Sequence, residues 1–243
     1  MVRHGTADVL NNARNIKYTA SESGASTSFA SAVEAIYYPL DETEKADFIA
    51  YHPYREAVSG FVYPVDVSNQ SSQTAIDLMW AKADKQGAGY TAEDGRNNTP
   101  VNLAFDHKLV KLRMNITKDV NVQGEIVKVS INGMNTTASF DLKGSGGLTG
   151  MGGAKTFEAC TVTAGSVYEA ILLPVESLGA AHSVTFTTDD EDENYTWSMY
   201  KQITELKPGN IYTYDIHVAR SKIDITGNIA DWKVDLTISG KAE

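Results

Sequence analysis

Apolar residues occupy every second position along much of this chain, the period of a half-buried β-strand. FVYPVDV (61–67) puts Phe61, Tyr63, Val65 and Val67 on one face. Pro64 falls on the other face, and a residue without an N–H belongs at a sheet edge. IYTYDIHV (211–218) aligns Tyr212, Tyr214, Ile216 and Val218. IVKVSI (126–131), TASFDL (137–142), SVYEAILL (166–173), HSVTFTT (182–188) and YTWSMY (195–200) carry the same signature. Upstream, VEAIYYPL (33–40) and ADFIAYHPY (46–54) are aromatic and β-branched runs ending at prolines, and the charged DETEK (41–45) between them predicts a hairpin loop. The last such segment, ADWKVDLTISG (230–240), places Trp232, Val234, Leu236 and Ile238 on one side. Its backbone needs partners, so it either closes its own domain or is an assembly strand that pairs with another molecule.

Two segments break the simple pattern. In LAFDHKLVKLRMNI (103–116), Leu103, Phe105 and Leu109 share one parity, while Val110, Leu112, Met114 and Ile116 share the other. A switch of parity predicts a bulge or a strand that leaves one sheet and enters another. In SSQTAIDLMWAKADKQG (71–87), Ile76, Met79, Trp80 and Ala83 recur at helical spacing between a possible Ser72 N-cap and Gly87 C-cap, so periodicity alone predicts a helix. The polar, glycine-containing KADKQGAGYTAEDGRNNTP (82–100) is the natural place for a domain boundary. It divides the chain into 1–100 and 101–243. The second part holds enough strands for a β-sandwich of about seven. The first holds only about four or five, as though its opening strands lay upstream of Met1.

Composition narrows the partners. Twenty-one basic against 31 acidic residues give a net charge of −10, which disfavours a phosphate backbone, so nucleic acid is not an expected partner. The start of the chain lacks the apolar core of a signal peptide, and no run of about 18 apolar residues could span a membrane. Cys160 is the one cysteine, which rules out an internal disulfide and makes a small buried hydrophobe the expected role. No metal site and no cofactor is expected. His4, His52, His107, His182 and His217 share no ligand spacing, and His52 and His107 read as packed or interdomain histidines. DDEDEN (189–194) reads as a solvated hairpin tip, with calcium at Asp189–Glu193 as the second reading, since it lacks the spacing of a calcium loop. The glycine-rich KGSGGLTGMGGAK (143–155) lacks the phosphate-loop pattern and reads as a loop joining two strands. No nucleophile, zinc or Cys/His motif appears, so no catalytic residue is assigned and the chain is not expected to be an enzyme.

Five stretches in order, IYYPLDETEKADFIAYHPY (36–54), IDLMWAKA (76–83), VNLAFDHKLVKLRMNI (101–116), AILLPVESL (170–178) and LKPGNIYTYDIHVARSKIDITGNIADWKV (206–234), resemble the fimbrillin family of Bacteroides-type bacteria, the subunits and tip adhesins of type V pili. The resemblance implies an all-β fold of two tandem β-sandwich domains with transthyretin-like topology. It makes IDLMWAKA a strand, against the helical periodicity, and that reading is preferred because tertiary context overrides local propensity. It further implies export to the cell surface and outer membrane as a lipoprotein. The export signal, the lipidated cysteine and the first strands are then expected to lie outside this chain, with a lipid anchor as its sole tie to the membrane. In that family a protease cuts after an arginine, removes an N-terminal strand and opens a groove that a neighbouring subunit's strand fills. Arg3 and Arg14 stand near the start, and neither is matched to that cut.

The function expected from residues and resemblance together is a structural or adhesive subunit of a surface fimbria, at the tip or in an accessory position. Its partners are other pilus subunits, engaged by strand exchange, and a host protein or glycan. Two other classes are weighed beside it. One is a non-polymerising surface lipoprotein that binds glycan or host protein, with Tyr90, Tyr195 or Tyr200 as sugar platforms. The other is a β-sandwich hydrolase, for which the carboxylates of Asp189 to Glu193 are too clustered to make a catalytic pair.

Overall fold

The computed structural model describes residues 1–22, 27–31, 34–143, 147–190, 194–220, 223–232 and 237–240. The chain opens with β1 (Val2–Arg3), β2 (Tyr18–Ala20), β3 (Phe29–Ser31), β4 (Ala46–His52) and β5 (Val62–Asp66). One helical turn, α1 (Gln73–Ile76), leads into β6 (Met79–Ala83), and α2 (Ala92–Arg96) leads into β7 (Val101–Ala104), β8 (Asp106–His107) and β9 (Val110–Lys118). Then come β10 (Ile126–Met134), β11 (Thr137–Asp141), β12 (Leu148–Gly152), β13 (Lys155–Glu158), β14 (Cys160–Thr163) and β15 (Val167–Leu172). The last strands are β16 (Ser183–Thr188), β17 (Asn194–Ser198), β18 (Asn210–Val218), β19 (Ile223–Asp231) and β20 (Thr237–Gly240). The fold is all-β, built from several sheets.

Two of those sheets, β13-β10-β16-β17 and β14-β15-β9-β18-β19, close over one core. Alternation decides which residues enter it. Val110, Leu112, Met114 and Ile116 of β9 are buried, and the intervening Lys111, Arg113 and Asn115 face outward. Tyr212, Tyr214, Ile216 and Val218 of β18 meet them, as the period predicts. Each fully buried side chain of this size contributes roughly 1.5–3 kcal/mol against exposure. β10 bends on its way past the core. Its register with β13 shifts between Ile131 and Met134, and Gly133 sits there at φ +74°.

The parity switch marks a change of sheet. β7 pairs with β20, β8 with β6, and β9 with β15 and β18. Leu109 belongs to a second core, with Tyr63, Val65, Leu78, Phe140 and Ile171, and Val110 begins the first. That second core draws on both halves of the chain. So does the sheet β12-β11-β5, which places β5 at its edge with Pro64 opposite Ser139. Backbone pairing therefore crosses residue 100, where the sequence suggested a boundary.

Gln70 adds a side-chain link between the halves. β14 pairs with β15 only as far as Glu169. Beyond it, Ile171 has no strand partner on that side among the described residues, and the amide of Gln70 takes the place of one. Ile171 N–H donates to Gln70 Oε1 at 2.9 Å, and Gln70 Nε2 donates to Ile171 C=O at 2.9 Å and to Val67 C=O at 2.6 Å.

Two expectations need correction, and the strand preferred for 76–83 over the helical periodicity holds from Met79. Residues 34–40 form no strand: Tyr38 plugs the N-terminal core against Phe48 and Tyr90, while Leu40 is 91% exposed. DETEK therefore forms a turn without a hairpin around it. The helix suggested for 71–87 is a single turn, α1, because Asp77 is extended and the backbone that follows is taken up by the β4 and β8 ladders. IDLMWAKA is accordingly strand from Met79 to Ala83. Finally, the described ends of 230–240 belong to two different sheets. Ala230 and Asp231 end β19, and β20 begins at Thr237.

Candidate assembly site

The N-terminal half is built on the sheet β1-β4-β6-β8, with β7 and β20 beside it. One part of it is well packed. Tyr38, Phe48 and Tyr90 meet edge-on or tilted at 5.3–6.1 Å around Ala46, Ala83 and Val101. The Tyr38 hydroxyl donates to Thr99 C=O, and burial pushes its pKa up to about 12, with Tyr90 and Asp94 adding to the rise. α2 is held by a reciprocal cap between Thr91 and Asp94, and Lys85 pairs with Asp94 at 2.5 Å.

Among the described residues, the rest of this half is incompletely covered. Phe29, Ala50, Met79 and Leu103 are only partly buried around Ala81 and Phe105. They line an apolar cavity of about 720 Å³, which Phe48, Ile49, Ile36 and Leu142 extend. A sheet face this apolar ordinarily carries another layer. Residues from the start of the chain form one wall of the cavity, Met1, Val2, Val9 and Ala13 among them. They are tied down at two points. β1 pairs with the edge of β4, where Asp47 accepts from His4 Nδ1 at 2.7 Å and from Gly5 N–H at 3.2 Å, with Lys82 Nζ at 3.3 Å. Burial pushes the Asp47 carboxyl up, and those hydrogen bonds with the Lys82 charge outweigh it, holding the pKa below the usual range. At the second point, Asn15 donates to Arg55 C=O at 2.8 Å and to Glu56 C=O at 3.0 Å, and accepts from the Tyr51 hydroxyl. Of the two early arginines, Arg3 pairs with Glu44 at 2.7 Å, and Arg14 is exposed on the cavity rim.

The four residues expected on an assembly strand do not share one element. Trp232 follows β19 and stacks on His107 at 3.7 Å between ring centroids and 13° between planes. His107 is buried and bonds Asp77 at 2.8 Å, a contact between residues on either side of position 100. Val234 and Leu236 lie outside the described residues. Ile238 lies in β20, whose backbone pairs with β7, Ile238 opposite Leu103. β20 thus returns to the half that holds the cavity.

Other expectations resolve as follows. His52, expected to be packed or interdomain, is exposed, with Nε2 3.2 Å from Thr74 C=O. Cys160, expected to be buried, is only partly so. Part of the glycine-rich run is strand β12. Asp189 accepts from Glu125 N–H at 2.8 Å, and Glu191–Glu193 of the acidic tip lie outside the described residues. Tyr90 is 5% exposed and Tyr195 packs on the core, which removes both as sugar platforms, whereas Tyr200 is 38% exposed. Sequence reasoning missed the cavity lining. Phe48, Met79 and Leu103 read as ordinary strand residues, and among the described residues the first hundred positions hold six strands where four or five were expected.

This geometry defines an all-β protein with strands shared between its halves and an apolar cavity in the first. The fimbrillin-like family model matches residues 1–232, and the chain belongs to that family. It is similar to a candidate fimbrium subunit, Fim1C, of Bacteroides uniformis, with 33% identity over 229 residues, 90% of this chain and 72% of that protein. A solved candidate cell adhesion protein from Bacteroides uniformis is 31% identical with a TM-score of 0.77, covering 90% of this chain and 85% of the other. A second, from Bacteroides ovatus, shares the fold at 20% identity and a TM-score of 0.61, over 84% and 75% of the two chains.

Proposed function

We propose that this chain is a subunit of a bacterial surface fimbria that accepts an extended segment of a neighbouring subunit in its N-terminal cavity. The cavity carries the reading: an apolar sheet face, half covered, is what an added strand would bury. Family membership and the likeness to a fimbrium subunit support the same role. In this reading the chain forms two sandwich units of transthyretin-like topology, exported to the cell surface on a lipid anchor. The junction falls near Leu109 rather than at 100/101, since Val101, Leu103 and Phe105 pack with the first unit.

Arg14 is the better placed of the two early arginines for a processing cut. Cleavage there would release β1 with Met1, Val2, Val9 and Ala13, which opens the edge of β4 and one wall of the cavity. β20 is held on β7 of its own chain, which suits a subunit that accepts a strand without donating one, hence a tip or accessory place.

Paired cysteines test that placement. In a Cys160→Ser background, Leu103→Cys and Ile238→Cys lie opposite one another. The expected product of the double variant is an internal disulfide at every protein concentration. Mixed single variants should give no interchain product. Efficient crosslinking between chains would make β20 a donated strand and the chain a polymerising shaft subunit.

A further inference from the structure

Asp47 lies on β4 at 1% exposure, and β1 supplies two of its partners. His4 Nδ1 donates to Oδ1 at 2.7 Å, and Gly5 N–H, just past β1, donates to Oδ2 at 3.2 Å. Among the described residues, only Lys82 Nζ reaches it from the sheet itself, 3.3 Å from Oδ2, and Lys82 is shared with Asp84 at 3.5 Å. The register explains how His4 arrives there. Val2 pairs with Asp47, so His4, two residues on, lies diagonal to Asp47 on the same face. Gly89, at φ +72°, leaves room for the His4 ring: a Cβ there would lie 2.8 Å from His4 Cγ. Val2, directly opposite the carboxylate, is 2% exposed. The start of the chain thus presents β4 with a buried apolar residue and, two positions later, a hydrogen-bond donor.

Resting on the acceptor role proposed for the cavity, we infer that Asp47 selects the incoming segment: a strand laid antiparallel on β4 in the place of β1 carries an apolar residue opposite Asp47 and a histidine, lysine or arginine two positions later. When β1 leaves, Asp47 Oδ1 loses its partner and is open to water. A new strand buries it again. A buried carboxylate without its hydrogen bonds is far more costly than one left in water, so the new strand must bring a donor.

Local charge favours a cation over a neutral donor. Arg3 leaves together with His4, which removes the 2.7 Å partner of Glu44. The carboxylates of Glu44, Asp47 and Asp84 then outnumber the ammonium groups of Lys45 and Lys82 at this end of the groove. An acidic residue in the His4 place would set like charge against Asp47. An apolar one would leave Oδ1 unpaired.

Peptide exchange on the nicked chain tests this. A specific protease site inserted at the exposed turn of Asn11 and Asn12 cuts the folded chain and leaves the first segment in place. The nicked chain is challenged with fluorescent peptides of its own residues 1–11, with His4 kept or changed by His4→Lys, His4→Ser or His4→Glu, and uptake is read by anisotropy. The His4 and His4→Lys peptides are expected to bind alike. His4→Ser should bind roughly tenfold and His4→Glu roughly a hundredfold more weakly. The order should survive high salt, because the contact is buried, and should collapse in Asp47→Asn. Equal binding of all four peptides would overturn the role of Asp47 and leave the acceptor reading standing. No exchange of any peptide would overturn both. An order that vanishes in high salt, or that persists in Asp47→Asn, would assign the selection to net charge and overturn the proposal.

Discussion

Replacing Gln70 by leucine probes how the two halves are joined. Gln70 is buried, and its amide makes four hydrogen bonds: two with Ile171, one to Val67 C=O and one from Gln73 Nε2 at 2.7 Å. Leucine keeps nearly the same volume and removes all four. A typical net contribution is about 1 kcal/mol per bond. The larger effect falls on Ile171, which is 1% exposed and whose N–H and C=O lose their partner. Each buried unpaired group costs about 1–3 kcal/mol. The expected loss is about 3–5 kcal/mol, read as a lower urea midpoint at unchanged slope. Hydrogen exchange localises it, because the Ile171 amide should be strongly protected in wild type and exchange far faster in the variant. A loss under about 0.5 kcal/mol with Ile171 protection intact would refute the substitution of a side chain for a strand.

Three further outcomes are expected. Gly133→Ala should cost at least about 2 kcal/mol, since a Cβ there meets Ala181 C=O at 2.4 Å and φ is +74°; thermal unfolding checks it. Asp47 has a folded pKa below its reference of 3.8, so its stabilisation is complete above that pH and is lost as pH falls through the folded value. Urea midpoints between about pH 5 and pH 2 should therefore fall less steeply in Asp47→Asn than in wild type. An arginine-specific protease should cut the folded chain after Arg14 sooner than after Arg3, which is engaged with Glu44, and mass spectrometry of the first fragment shows which.

Much of the fold was legible because alternation reports burial directly. Tyr63, Val65 and Val67, the Tyr212 to Val218 face and the parity switch at Leu109 and Val110 all read correctly from spacing alone. Failures came where partners are remote or absent. Ile36 to Leu40 has the composition of a strand, yet no strand among the described residues pairs with its backbone, and Tyr38 is used as a plug. Residues 76–83 carry two periods at once, and the β4 ladder decides between them. Gln70 acts on a residue 101 positions away, a pairing that no local pattern encodes. The cavity left no mark on local spacing, because Phe48, Met79 and Leu103 alternate like any other strand residues.

The acceptor role of the N-terminal cavity is tested most directly by placing a photo-crosslinking side chain at Ala50, on the cavity wall, in fimbriated cells. After irradiation, the peptide joined to it is read by mass spectrometry. The expected partner is an extended, alternately apolar segment from another fimbrial subunit. Crosslinks confined to this chain's own residues, in cells that display intact fimbriae, would contradict the acceptor role.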